Sequence, residues 1–462
     1  MIGMRRFAAI VLVLLMAGCK VGPNYKRPVL VTPDQYRGVA PDLSNQPGTQ
    51  PFAEMQWETV FQDETLRALI KEALANNYNM QIAASRILQA QAVVGITRAN
   101  QLPNVSGSGG VNYLRNSIVP NGPTYDSLGI QLNYIVDFWG KYRRATEAAR
   151  AQLLATTYGR DVVQITLISN VATAYFQLRQ FDYQLDFSQK DVATDTDAVR
   201  LNTIKYTGGD SAITDVYQAE LLLQQAQAQV ILSQQFMEQS ENQISILLGR
   251  NPGPIARGFK LNDQPHLADV PTGLPSALIE RRPDVRQSEA ALIAANANVG
   301  VAKAAFFPQI SLTGLFGATS TSLTSFLQGP ATVWSLGGQV LQPLYAGGAI
   351  RSGYDLAWAQ RNEAELAYRQ TVQIAFGDVA NSLVGYNQAR LYRMKIEEQT
   401  NTYRETADLA NVRFAGGVTS FLEVLVTQQQ YFTSQVTLAA AWDAEMQNYV
   451  QLYQALGGGW QP

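Results

Sequence analysis

No proline occurs from Lys141 to Asn251, and none from Leu344 to Gln461. The helix-like run from Lys141 to Tyr206 is 66 residues, about 100 Å at 1.5 Å per residue. No single globular core is that wide, so such helices must pack on one another. Each proline-free stretch carries a double-glycine turn between long helices: KYTGGDSAITDV (Lys205–Val216) and RFAGGVTSFLEV (Arg413–Val424). Gly208-Gly209 falls on Gly416-Gly417 at an offset of 208 residues, and Asp215-Val216 falls on Glu423-Val424 at the same offset. Leu248-Gly249 matches Leu456-Gly457 at 208, while Gly95 and Pro103 match Gly300 and Pro308 at 205. The chain is a duplicated unit of helix, two strands, very long helix, double-glycine turn and helix.

The helix after the first turn indicates how these elements pack. Val216, Leu223, Val230, Met237 and Ile244 recur every seven residues, interleaved with Ala219, Ala226, Ser233, Ser240 and Leu247. This 3-4 spacing is that of a coiled-coil seam, and its small residues allow close approach of a partner helix.

The strands have another period. In SLGIQLNYIVDFW, Leu128, Ile130, Leu132, Tyr134, Val136 and Phe138 fall on one face, and Gly129, Gln131, Asn133 and Asp137 on the other. NVSGSGGVNYL (Asn104–Leu114) alternates more weakly, and QISLTGLFG (Gln309–Gly317) and VWSLGGQVLQPLY (Val333–Tyr345) take the same places in the second repeat. The expected strands are 104–115, 127–139, 309–318 and 332–345, with helical tips at 205–216 and 413–424. Alternating segments of about ten residues with glycines and aromatics fit transmembrane β-strands. A membrane sheet must close, and single-chain barrels have about eight strands or more. Four strands per chain therefore call for oligomerisation: two copies would give a side-chain-filled interior, three a lumen.

Composition narrows the function. The chain is 46% hydrophobic and 16% charged, with a net charge of −2, which leaves no electrostatic footprint for nucleic acid. One histidine (His266) and one cysteine (Cys19) exclude disulfides and His/Cys metal sites. The carboxylates are scattered over helical surfaces, so no catalytic or metal site and no cofactor is expected. The beginning, MIGMRRFAAIVLVLLMAGC, has the anatomy of an export signal: Arg5-Arg6, a short apolar run from Phe7 to Met16, and small residues before the cysteine. Cys19 stands where a bacterial lipobox places its modified cysteine, so a covalent lipid is expected there. Lys20 follows it, in place of the aspartate of an inner-membrane retention signal. Residues 1–18 form the expected signal, 19–59 a lipid-anchored arm, 60–255 the first repeat, 256–273 a connector and 274–462 the second repeat.

The segment LPSALIERRPDVRQSEAALIAANANVGVAKAAFFPQISLTGLFG (Leu274–Gly317), with Arg281-Arg282-Pro283-Asp284 and Ala304-Ala305-Phe306-Phe307-Pro308, resembles the signature of the TolC/NodT-type outer-membrane efflux family. CKVGPNYKRP (Cys19–Pro28), DFWGK (Asp137–Lys141) and ALGGGW (Ala455–Trp460) are similar to further landmarks of that family, in order along nearly the whole mature chain. The resemblance implies a mixed α and β membrane protein: a homotrimer with a twelve-stranded outer-membrane barrel, an α-helical periplasmic tunnel and an equatorial collar. It implies as partners a periplasmic membrane-fusion adaptor, an inner-membrane pump of the RND class and outer-membrane lipids.

It also implies that the two turns form the periplasmic entrance. Thr214 and Asp215 lie where the family has residues that bond across to the next hairpin, with partners around Phe414 and Thr419. Those two positions carry no tyrosine hydroxyl and no arginine here. Leu422 and Glu423 match positions lining the constriction, and Val426 replaces a common lumen acid. The expectation is closure by apolar crowding of Leu422 beside an acidic ring of Glu423. Other readings are a duct for proteins driven by an ABC exporter, or a periplasmic coiled-coil lipoprotein without a pore. Arg281 and Arg282 lack a glycine-rich loop and are assigned to the collar, not to phosphate binding.

Overall fold

The four alternating segments form one antiparallel sheet in the computed structural model, which describes residues 20–30, 32–33, 52–113, 124–265, 279–321 and 331–459. The strands are β1 (Asn104–Tyr113), β2 (Thr124–Val136), β3 (Gln309–Ser320) and β4 (Thr332–Leu341), paired in the order β1-β2-β3-β4. The first repeat supplies β1 and β2, the second β3 and β4. They join at β2–β3, where Ile130 faces Phe316 and Asn133 faces Thr313.

Residues directly opposite in a ladder share a face, so register decides which side chains meet. On one face stand Val105, Leu128, Ile130, Leu132, Tyr134, Leu312, Phe316, Trp334, Leu336 and Val340. On the other stand Asn104, Ser106, Gln131, Asn133, Ser311, Thr313, Ser335 and Gln339. The weak alternation of β1 is thereby explained: Gly107 and Gly109 lie opposite Ile130 and Leu128, small against large. The apolar face is open, with Trp334 72% and Leu336 81% exposed. Among the described residues, β1 and β4 each keep one edge without a strand partner.

β2 begins earlier (Thr124, against 127) and β3 ends later (Ser320, against 318) than expected, and two strands end early. β2 stops at Val136, because the Asp137 carboxylate accepts the N–H groups of Tyr142 (3.1 Å) and Arg143 (2.8 Å) and turns the chain into a helix. Phe138 therefore leaves the strand face and packs edge-on against Trp139, ring centroids 4.8 Å apart. β4 stops at Leu341, short of Tyr345. Pro343 cannot donate to a ladder, and Gly347 and Gly348, at φ 57° and 85°, reverse the chain into the next helix.

The helices are α1 (Trp57–Val60), α2 (Glu64–Asn76), α3 (Tyr78–Ala99), α4 (Lys141–Thr207), α5 (Ile213–Leu247), α6 (Pro283–Ala304), α7 (Ala349–Ala415) and α8 (Phe421–Ala455). α4 and α7 are each 67 residues, α5 and α8 each 35, so the duplication inferred from glycine spacing extends to helix length. On α5 the small members of the seven-residue pattern, Ala219, Ala226, Ser233 and Ser240, are buried, while Leu223, Val230 and Met237 are half-buried. The closest packing thus runs along the small residues.

Contacts divide the chain into two compact units, and neither is a repeat. One gathers the arm through Leu30, Ser85–Tyr158 and Gln287–Thr371; the other Val31–Ala84, Gly159–Arg286 and Val372–Pro462. Within the first, the motif beginning at Lys20 is a strap without regular structure. Val21 donates its N–H to the Trp139 carbonyl at 3.1 Å. Arg144, 1% exposed, donates to the carbonyls of Val21 (3.1 Å) and Gly22 (3.3 Å) and to Asn24 Oδ1 (2.8 Å). Arg27 grips Glu289 with two bonds of 2.6 Å. Gly22 has φ 100° and lies so close to Gly300 that a Cβ would sit 2.4 Å from its Cα. The landmark glycine of α6 is thus a docking place for the strap.

The second unit has an aromatic core of Phe52, Phe61, Tyr449 and Tyr453, with ring centroids 5.3–6.5 Å apart. Asp63 organises its edge. The carboxylate caps α2 through the N–H of Thr65 (2.9 Å) and accepts Tyr175 Oη–H (2.8 Å), the Phe259 N–H (3.0 Å) and Gln264 Nε2 (3.1 Å).

Candidate functional site

The two double-glycine turns have the same hydrogen bonding, residue for residue. At the end of α4, Asp210 donates its N–H to the Lys205 carbonyl (2.8 Å) and Gly209 to Tyr206 (3.0 Å). At the end of α7, Val418 donates to Arg413 (2.9 Å) and Gly417 to Phe414 (3.0 Å). These are the 6→1 and 5→2 bonds of a Schellman termination, which requires a left-handed residue after the cap. Gly209 (φ 84°) and Gly417 (φ 72°) supply it. The same motif closes α5 and α8 at Gly249 (φ 75°) and Gly457 (φ 99°). Gly208 and Gly416 precede the left-handed glycines.

The charges at the two turns have diverged. In the second hairpin Arg413, ahead of the glycines, bridges them to Glu423 at 2.8 Å. The Thr419 hydroxyl donates to the same carboxylate. Thr419 thus serves its own hairpin. In the first hairpin the corresponding pair is Lys205 and Asp215, and they do not meet. Lys205 Nζ lies 4.1 Å from the centre of the Phe414 ring, a cation–π contact from one hairpin to the other. Phe414 also packs on Phe421 at 5.3 Å, against a buried group of Ala219, Ala410, Phe421 and Val424. Position 414 thus links the hairpins through its ring face.

Asp215 is half-buried, with its N–H on the Ala212 carbonyl at 3.0 Å, and Thr214 is exposed. Leu422 (53% exposed) and Val426 (44%) stand one turn apart on α8, uncovered by their own chain. The structure thus brings together Phe414, Thr419 and Glu423 with two residues the sequence reading did not single out, Lys205 and Arg413. The available signal was their own offset: 205 and 413 also differ by 208.

Further along the hairpins, α4, α5, α7 and α8 enclose a cavity of about 220 Å³ lined by Asp191, Asp195, Asp408, Asn411, Gln428 and Tyr431, among others. Burial pushes the Asp191 and Asp195 carboxyls up to about 6, and Asp191 adds its repulsion at Asp195. Asp443 on α8 is pushed up to about 7 by burial.

Arg282 has a structural role, as expected. It is 9% exposed and bonds Asp284 (2.6 Å), Asp378 (3.0 Å) and the carbonyls of Ala375 (3.4 Å) and Ala455 (3.2 Å), tying the start of α6 to α7 and α8. Arg281 pairs with Glu54. The signal-like residues 1–18, Cys19 and His266 lie outside the described residues. Among the described residues, no cluster of three or more His, Cys, Asp or Glu side chains is arranged to hold a metal ion, and no helix is long and apolar enough to cross a membrane.

A sequence model of the outer membrane efflux protein family matches residues 69–250 and 274–458, once in each repeat. The chain is 33% identical over 455 residues to the solvent efflux pump outer membrane protein SrpC of Pseudomonas putida, with 97% of each chain covered. It is 30% identical over 457 residues to the cation efflux system protein CusC of Escherichia coli, again with 97% of each covered. Among solved structures it superposes on CusC with a TM-score of 0.86 at 28% identity, covering 95% of this chain and 100% of that one. On the open-state MtrE outer membrane channel of Neisseria gonorrhoeae the TM-score is also 0.86, at 27% identity, covering 96% and 98%.

Proposed function

This chain belongs to the outer membrane efflux protein family, and from that premise we propose that it is the passive outer-membrane duct of a tripartite efflux system. It would receive small toxic compounds from an inner-membrane transporter of the RND class through a periplasmic adaptor. The family places it in the outer membrane and gives it a transport role without catalysis. The trimer, the lipid on Cys19 and the two named partners belong to the proposal.

One observation carries the reading: a sheet with one predominantly apolar face (Leu128, Ile130, Leu132, Tyr134, Phe316, Trp334, Leu336) and an opposite face that mixes polar residues such as Gln131, Asn133 and Thr313 with Leu315 and Val333, and with both outer edges unpaired among the described residues. In hydrocarbon an unpaired edge costs several kcal/mol per backbone group, so this sheet is stable only when further copies close it. Three copies give twelve strands with the Gln131 and Asn133 face inward, lining an aqueous lumen. The twin turns, with Leu422 and Val426 uncovered, fit an entrance that closes where copies meet. The reported relatives carry solvent and cation names, which supports small cargo rather than secreted protein. Their variety supports selection by the pump rather than by the duct.

The test pairs reconstitution with genetics. Purified protein should give stepwise conductance in planar bilayers, and loss of its gene should sensitise cells to the same compounds as loss of an RND pump. Absence of conductance from correctly assembled protein would remove the duct. Sensitivity matching loss of an ABC exporter, with retention of a secreted protein, would move it to protein export.

A further inference from the structure

The cavity enclosed by α4, α5, α7 and α8 has acceptors in excess of donors. Asp195 is 8% exposed, and its carboxylate has no hydrogen-bond or ion-pair partner among the described residues. Asp191 projects from the same face of α4 four residues earlier, the spacing that brings side chains together on a helix, and its buried Oδ2 is without a partner. On α8, the Gln428 amide donates its Nε2 to Asn411 at 3.4 Å, leaving a buried Oε1 without a partner. Asp408 of α7 lines the rim, exposed, and does not group with the other two into a three-carboxylate cluster. Of the nearby cations, Lys190 is engaged by Asp186 at 2.7 Å and lowers the Asp191 carboxyl only from a distance, and neither Asp191 nor Asp195 forms an ion pair among the described residues.

Buried acceptors left unpaired cost on the order of 1–3 kcal/mol each, more when charged, and a carboxylate with neither cation nor donor is the costliest case. The space is sufficient for an ion with part of its water, since one water occupies about 30 Å³ of liquid. Carboxylate and amide oxygens without nitrogen or sulfur select a hard cation. We propose that this cavity binds a partly hydrated divalent cation of the calcium and magnesium class, held by Asp191 and Asp195 of α4 and by the free amide oxygen of Gln428 on α8. With two carboxylates and one amide oxygen bound directly, the rest of the shell is water, the usual arrangement for a hard divalent ion in a site with few protein ligands. The ion joins α4 of the first hairpin to α8 of the second, about three to four turns along α4 from the Lys205–Phe414 contact. Its removal loosens the pairing of hairpins that meets at the double-glycine turns.

Terbium(III) substitutes for such ions at oxygen sites and emits when a nearby tyrosine is excited, and Tyr431 lines this cavity. Purified full-length protein, stripped with EDTA, is titrated with terbium and, separately, melted with and without calcium. The expected result is tyrosine-sensitised emission that calcium displaces, and a calcium-dependent rise in melting temperature. Both are lost in Asp195→Asn and reduced in Asp191→Asn. Tyr431→Phe should dim the emission while keeping the calcium-dependent rise, which places the ion in this cavity. Emission and thermal shift that persist unchanged in the Asp191→Asn, Asp195→Asn double variant overturn the site. So does wild-type protein that shows neither, in which case the cavity holds only water and protonated acids.

Discussion

Arg413 and Glu423 face each other across the second double-glycine turn, 2.8 Å apart, while the corresponding Lys205 and Asp215 of the first turn do not meet. The acid expected to form a ring at the entrance is therefore already paired within its own hairpin. Arg413→Ala should expose an unbalanced carboxylate in every copy and raise cation selectivity, read as a larger reversal potential across a salt gradient. Both partners are about 40% exposed, so the stability cost should stay within about 1 kcal/mol. Leu422→Ser, removing an exposed apolar side chain beside the pair, should raise single-channel conductance. Reversal potential and conductance equal to wild type in both would place the constriction elsewhere.

The register of the sheet makes neighbouring positions unequal. Arg at Leu132 or Leu128 lies on the apolar face and should cost about 2–4 kcal/mol per copy near the bilayer midplane. Arg at Gln131 or Asn133 points the other way and should be well tolerated. The measurement is the yield of membrane-assembled oligomer resisting mild detergent. Equal losses on the two faces would contradict the assignment.

The strap is held by backbone proximity at Gly22. A methyl group there would meet Gly300 Cα at 2.4 Å and would sit on a residue at φ 100°. Gly22→Ala should release the segment around Tyr25 and Arg27 from Glu289, seen as faster proteolytic nicking of the arm with the sheet and helices intact. Nicking at the wild-type rate would show that the contact yields without cost.

Asp443 gives stability a pH dependence. Burial raises its carboxyl from 3.8 to about 7, so between those values the folded chain binds more protons than the unfolded chain. Its contribution is fullest below the unfolded value and is lost as pH rises through the folded one. Wild type should therefore melt higher at about pH 5 than at about pH 8, by more than Asp443→Asn does, because the amide has no proton to lose. The same pH difference in both proteins would exclude Asp443 as the source.

The duplicated glycines were legible because a Schellman turn admits little else at its left-handed position, and that requirement holds in any surroundings. The long helices were legible from missing proline and a seven-residue pattern. The ends of β2 and β4 were not: Val136 and Phe138 look alike as alternating apolar residues, and only the Asp137 cap decides that one is strand and the other is not. Tip chemistry was half legible. Glu423 stood out as a conserved offset from Asp215, but its partner lies ten residues back across a turn, and the turn geometry that makes them neighbours is invisible to spacing. Asp63, Asp191 and Asp195 read as ordinary helix-surface acids, because burial from four separate segments is a property of packing rather than of local sequence.

The open edges of β1 and β4 bear on heredity as well as on folding. On the proposed closure by further copies, each chain offers its defects to every partner it meets. An allele that keeps one edge but spoils the other would enter mixed assemblies and stall them, so it should behave as dominant over the intact gene. An allele that destroys the helices outright would never reach those assemblies and should be recessive.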